Sequence, residues 1–103
     1  MSVLMEFSMF PTDKGESASP WVSKIISIIK ESNVEYQLTP MGTIIETETI
    51  EEALSIVQKA YNILALDCNR VYSSIKFDIR KKRKNAMKEK IKSIESKIGI
   101  VKK

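Results

Sequence analysis

The hydrophobic period of this chain switches between two residues and about 3.6, and the order of the switches is what most restricts its fold. Residues 2–10 alternate, with Val3, Met5, Phe7 and Met9 on one side and Glu6 and Ser8 on the other, as a strand with one buried face requires. The stretch PTDKGESAS, residues 11–19, has no periodicity and is long for a strand-to-helix connection. Ser19-Pro20 then reads as a hydroxyl N-cap with proline at the first helical position. Trp21, Val22, Ile25, Ile26, Ile28 and Ile29 give that helix a broad apolar stripe, and Asn33 suits a left-handed stop. Residues 34–38 and 43–47 alternate again around Thr39-Pro40-Met41-Gly42. Thr49 and Glu52 form a capping box ahead of a second helix that carries Ala53, Leu54, Ile56, Val57, Ala60, Tyr61 and Leu64. The clearest alternation is the last one: Val71, Ser73, Ile75, Phe77 and Ile79 against Arg70, Tyr72, Ser74, Lys76 and Asp78.

The order β-α-β-β-α-β is the split βαβ of the ferredoxin-like fold, an α+β sandwich in which two helices cover one face of a four-stranded antiparallel sheet. A third, basic helix is expected over about residues 81–98, where Ala86, Met87, Ile91, Ile94 and Ile98 fall at near-helical spacing. At 103 residues this is a single domain, with its core at about 2–80. The apolar runs fall well short of a membrane span, and the N-terminal residues lack the basic region and the small-residue cleavage site of a signal peptide. The lone Cys68 has no intramolecular disulfide partner, which suits a cytoplasmic protein.

Charge is unevenly distributed. Residues 1–75 hold five Lys/Arg and ten Asp/Glu; residues 76–103 hold twelve and three. The run RKKRK (80–84) is read as a solvated helix start whose charges find acidic partners, in preference to a nucleic-acid surface. An acidic body with a basic tail suits self-association.

Catalytic chemistry finds little to work with. The chain has no histidine, one cysteine and three glycines, which removes histidine bases, Cys-rich zinc sites and glycine-rich phosphate loops; no metal site is expected. The acids of residues 46–52 fit a strand end and a helix N-terminus better than a catalytic pair. What remains is the sheet face opposite the helices, presenting Glu6, Ser8, Gln37, Tyr72, Ser74 and Lys76, with Ile44 and Glu46 beside them. Such a face is either solvated or a polar and aromatic surface for a small ligand. Lys76 also has the placement of a cross-strand ion pair with Glu6 or Glu46. Ser17 and Ser19 precede a helix, where they can cap it or help hold an anion.

Four pieces carry a resemblance: MEFSMFP at the start, GESASPWV before the first helix, MGTIIE at the hairpin and RVYSSIKFDIR as the last strand. In this order and spacing they resemble the small thiamine-binding proteins, from Val3 to about Ile98. The resemblance implies a ferredoxin-like domain that forms dimers and tetramers and binds thiamine or its hydroxymethylpyrimidine moiety without catalysis and without a required cofactor. It places the glycine-threonine turn on Met41, Gly42 and Thr43, the serine loop on Ser17 and Ser19, and the final strand on Tyr72 through Lys76. For such a ligand, Thr43, Ser8, Gln37 or Ser17 can serve the aminopyrimidine, and Glu46 or Glu6 the thiazolium. Lys76 or the serine loop suits the hydroxyethyl arm or a phosphate. Thr39 adds a second hydroxyl at the sheet end. The alternatives are an interaction module whose open face and tail only build an oligomer and, behind it, a nucleic-acid binder acting through the basic segment.

Overall fold

The computed structural model describes residues 1–82 and 84–103, so Arg83 of the basic run lies outside the described residues. The elements are β1 (Ser2–Pro11), α1 (Ser19–Glu31), β2 (Glu35–Thr39), β3 (Gly42–Thr47), α2 (Ile50–Ala65), β4 (Val71–Arg80) and α3 (Ala86–Ile98). The strands form one antiparallel sheet in the order β2-β3-β1-β4, the ferredoxin-like arrangement expected from the sequence. The central strands β1 and β3 send Val3, Met5, Phe7 and Met9, with Thr43, Ile45 and Thr47, under the two helices. There they meet Ile25 and Ile29 of α1 and Ala53, Ile56, Ala60 and Leu64 of α2.

Hydrogen-bond parity follows from two contacts at one end of the sheet. The Thr12 N–H donates to the Arg70 carbonyl at 3.0 Å, and the Ser73 hydroxyl donates to the Ser8 carbonyl at 2.8 Å. Even-numbered residues of β1 therefore turn their main-chain groups toward β4, and odd-numbered ones toward β3. On β4 the same alternation turns the main chain of Val71, Ser73, Ile75, Phe77 and Ile79 outward, along the free edge of the sheet.

Three expectations change. The helices were expected to cover the apolar face of the last strand, yet Ile75, Phe77 and Ile79 remain 37%, 39% and 41% exposed. An edge strand has a neighbour on one side only, and this one loses that share of the shielding. At α1 the N-cap position falls on Ala18, without a side-chain hydrogen bond, and Ser19 is already helical. The third helix starts at Ala86 instead of Lys81, after Asn85 in a left-handed conformation. Its first turn is thus free of the basic run, and its orphan N–H groups meet an anion: Glu46 accepts from Ala86 N–H at 2.8 Å and Met87 N–H at 3.2 Å. The helix lies against the open sheet face at that end, with Lys88 3.7 Å from Glu35. The capping box forms as read, Thr49 accepting from Glu52 N–H at 3.1 Å, and Asn33 does take a positive φ.

No helix among the described residues is long and apolar enough to cross a membrane.

Candidate functional site

The length of β1 creates a cavity. Its pairing with β3 stops at Phe7 and Thr43, while pairing with β4 continues to Pro11. From Ser8 onward β1 therefore has a bare flank on the β3 side. The β2–β3 turn and α1 wall this flank off, enclosing about 280 Å³ between Phe7–Phe10, the turn residues Leu38–Thr43, and Val22, Ile25 and Ile26. The lining is mainly apolar with few polar groups, the usual character of a small-molecule site.

Thr43 is the most informative of those polar groups. It sits on the helix side of β3, is only 4% exposed, and makes no side-chain hydrogen bond among the described residues. Among the described residues no fully sealed side-chain polar atom lacks a partner, so its hydroxyl is reachable from the cavity. A hydroxyl in such surroundings lacks most of its hydration and favours an occupant that can hydrogen-bond to it.

Its neighbour Thr39 plays another part. The Thr39 hydroxyl donates to the Gly42 carbonyl at 2.7 Å and accepts from Met41 N–H at 3.3 Å, which braces the two-residue turn Pro40-Met41. Gly42 is required by close approach: a Cβ there would lie 3.0 Å from the Phe7 carbonyl oxygen and 3.5 Å from Ser8 Cβ. Met41, 89% exposed, stands at the rim.

The structure thus gathers Ser8, Thr39, Met41, Gly42 and Thr43 around one cavity and leaves the other candidates outside its lining. Ser17 and Ser19 are exposed, and the Ser19 carbonyl accepts from the Ser23 hydroxyl. The loop before them is pinned toward β4, because Asp13 accepts from Asn69 N–H at 2.7 Å; this bond holds its carboxyl below the usual range. Gln37 lies on the open face beside Ile44. Glu46, expected near a cationic ring, is engaged by the N-terminus of α3 and by the Ser2 hydroxyl at 2.6 Å. Lys76 faces Glu6 at 3.8 Å on the exposed side of the sheet, the cross-strand pair that the spacing allowed. Tyr72 reaches the site only indirectly, its ring 5.8 Å from that of Phe10, which is a cavity wall.

Sequence reading assigned Phe7, Met9, Val22, Ile25 and Ile26 to the core, and so missed them as lining. The usable signal was length: a first strand extending to Pro11 beside a third that begins only at Gly42 must leave unpaired backbone. Elsewhere, Trp21 carries Lys24 4.7 Å from its ring centre, and Cys68 is a buried thiol pushed up by desolvation. A second hollow, about 610 Å³, is lined by Glu35, Glu46, Glu48, Glu52, Lys84 and Asn85 among others. Among the described residues no group of three or more acids or thiols is placed to hold a metal ion.

Known proteins match this chain along most of its length. UPF0045 protein MJ1052 of Methanocaldococcus jannaschii is 35% identical over 92 residues, 89% of this chain and 91% of the relative. UPF0045 protein Mb1933 of Mycobacterium bovis is 35% identical over 95 residues, 92% and 93% of the two chains. The crystal structure of MJ1052 superposes with a TM-score of 0.81 at 34% identity, covering 90% of this chain and 95% of that one. A Thermotoga maritima protein, proposed to serve thiamine biosynthesis or salvage, shares the fold at a TM-score of 0.79 and 18% identity, covering 91% and 99%. The profile of the family described as "Thiamine-binding protein" matches residues 5–95. With that span matched and relatives a third identical over nearly their whole length, the chain belongs to the thiamine-binding protein family.

Proposed function

We propose that the protein binds thiamine or its hydroxymethylpyrimidine moiety in the cavity under the β2–β3 turn, as a cytoplasmic delivery or sensing protein that catalyses no reaction. The observation that carries this reading is the Thr43 hydroxyl, in a residue 4% exposed and without a side-chain partner among the described residues, in a mainly apolar cavity of a thiamine-family chain. The aminopyrimidine is flat and bears hydrogen-bonding groups along one edge, which suits a narrow apolar slot with few polar groups. The charged thiazolium and its hydroxyethyl arm then extend past Met41 toward solvent. Calorimetric titration with thiamine, and separately with hydroxymethylpyrimidine, is the test. Saturable heat supports the reading; no heat and no melting shift at millimolar ligand overturns it.

Self-association is part of the same proposal, and the β4 edge supports it. The outward main-chain groups of that edge and the half-exposed Ile75, Phe77 and Ile79 form a surface that a second antiparallel β4 can extend. A two-fold axis at Phe77 sets Lys76 of one copy opposite Asp78 of the other, a favourable cross-strand pair. Sedimentation of Phe77→Asp against the parent checks this, and an unchanged oligomer would remove β4 from the interface.

A further inference from the structure

We infer that the polar edge of the ligand is read by the main chain of Met9, the one residue of the bare β1 flank that offers both a donor and an acceptor toward the cavity. The inference rests on the binding reading above and goes further, because it fixes which atoms of the ligand are recognised. Three observations converge on it.

The first is parity. Odd residues of β1 turn N–H and C=O toward β3, and Phe7, the last of them with a β3 partner, pairs with Thr43. The Phe7 carbonyl lies 3.0 Å from where a Gly42 Cβ would stand, so it points the same way. Met9 is next in that series and opposes nothing, because the chain has already turned away at Pro40-Met41. Pro11 follows with a carbonyl but no N–H. Even-numbered Ser8 and Phe10 direct their groups to Ser74 and Tyr72 of β4 instead.

The second observation is satisfaction. Among the described residues, no turn, loop or side-chain hydrogen bond reaches the Met9 N–H or C=O. Unpaired main-chain groups at an otherwise apolar wall are costly, and an occupant that pairs with them recovers that cost. The third is convergence: Met9 lines the same cavity as the unpartnered Thr43 hydroxyl.

In an extended residue the N–H and C=O lie side by side on one edge, so the matching ligand presents an acceptor beside a donor in one plane. A 4-aminopyrimidine does this with a ring nitrogen and the adjacent amino group. The ring nitrogen accepts from Met9 N–H, the amino group donates to Met9 C=O, and the Thr43 hydroxyl takes a further polar atom. The ring in effect occupies the place of the missing strand residue. Recognition by backbone leaves no side-chain signature, which is why no residue type in the sequence announces it.

The test uses ¹⁵N-labelled full-length protein and thiamine as the probe, with oxythiamine alongside. Oxythiamine carries a carbonyl for the amino group and a proton on the neighbouring ring nitrogen, so donor and acceptor exchange places. In the free protein the Met9 amide should exchange rapidly while those of Ser8 and Phe10 are protected. Thiamine should shift and protect the Met9 amide, and oxythiamine should bind at least roughly tenfold more weakly. Met9→Pro deletes the donor on a flank that proline tolerates, and should bind thiamine at least about tenfold more weakly than Met9→Leu, which keeps both main-chain groups. If thiamine binds while the Met9 amide of the parent neither shifts nor gains protection, this inference falls and the binding reading stands. Absence of thiamine binding at millimolar concentration overturns the reading, and this inference with it.

Discussion

Replacing Thr43 by valine separates a ligand-binding role from a structural one. Valine keeps the branched shape and exchanges the hydroxyl for a methyl. Thr43 is 4% exposed and, among the described residues, its hydroxyl has no hydrogen-bond partner, so the substitution breaks no hydrogen bond described there. In the free protein the change removes a poorly hydrated polar atom from an apolar wall. Desolvating such a group without a partner costs about 1–3 kcal/mol, a penalty reduced here because the cavity opens to solvent. Thr43→Val should therefore be neutral or stabilising by up to about 1 kcal/mol, which in a chain of this size raises the melting temperature by roughly 4–8 °C at most. Ligand affinity should move the other way. Losing one hydrogen bond of about 0.5–1.5 kcal/mol weakens thiamine binding roughly two- to twelve-fold.

Two assays decide it: urea denaturation of the free protein, and calorimetry with thiamine. Opposite signs are the signature of a hydroxyl aimed at an occupant. A variant destabilised by 1 kcal/mol or more, with unchanged thiamine affinity, would refute the argument, because the hydroxyl would then be holding the fold.

Other perturbations follow from the same geometry. Gly42→Ala puts a Cβ 3.0 Å from the Phe7 carbonyl, and the backbone must shift to relieve it; denaturation should show a loss of about 1–3 kcal/mol, with thiamine binding weakened as the cavity changes shape. Glu46→Ala removes the carboxylate that accepts from Ala86 and Met87 N–H; amide exchange across residues 86–98 should accelerate and helical ellipticity fall, at a cost of about 0.5–2 kcal/mol, while the distant cavity still binds. The Asp13 carboxyl is held below its ordinary range chiefly by Asn69 N–H, so its stabilising contribution is present above the unfolded value and lost as pH falls through the lower, folded one. Exchange at Asn69 should accelerate in that acid window, and Asp13→Ala should show the faster exchange already at neutral pH.

The fold was legible because periodicity and caps agreed at nearly every element. Alternation in β1 and β4, the stripe on α1 and the Thr49–Glu52 box each pointed to the element that forms. Two features resisted because they depend on neighbours. Ile75, Phe77 and Ile79 alternate as cleanly as Val3, Met5 and Phe7, yet only strand order reveals that β4 has a single flanking strand. The start of α3 depended on Glu46, forty residues away from Ala86, supplying an anion that no local pattern records. At the site, Thr39 and Thr43 look equivalent in sequence, flanking the same turn. Register separates them: Thr39 closes the hairpin with Gly42, and Thr43, one step further, falls on the helix side with no side-chain partner among the described residues.

One alternation links the two surfaces proposed for function. Because even residues of β1 bond to β4, odd residues of β4 face the free edge and odd residues of β1 face β3. Where a partner strand exists, that rule completes the sheet. Where β3 stops short, it leaves Met9 facing a cavity; where the sheet ends, it leaves Ile75, Phe77 and Ile79 facing solvent. The main-chain groups on both surfaces are set by strand order and length and need no special residue type, which fits a chain without histidine and with one buried cysteine. The two lie on opposite flanks of the sheet's central β1 strand, so they should respond separately: changes along the outer edge of β4 alter assembly, and changes at the β2–β3 turn alter ligand binding. If thiamine affinity instead fell in step with dissociation, the ligand site would have to span the interface, and the cavity of the single chain would not suffice.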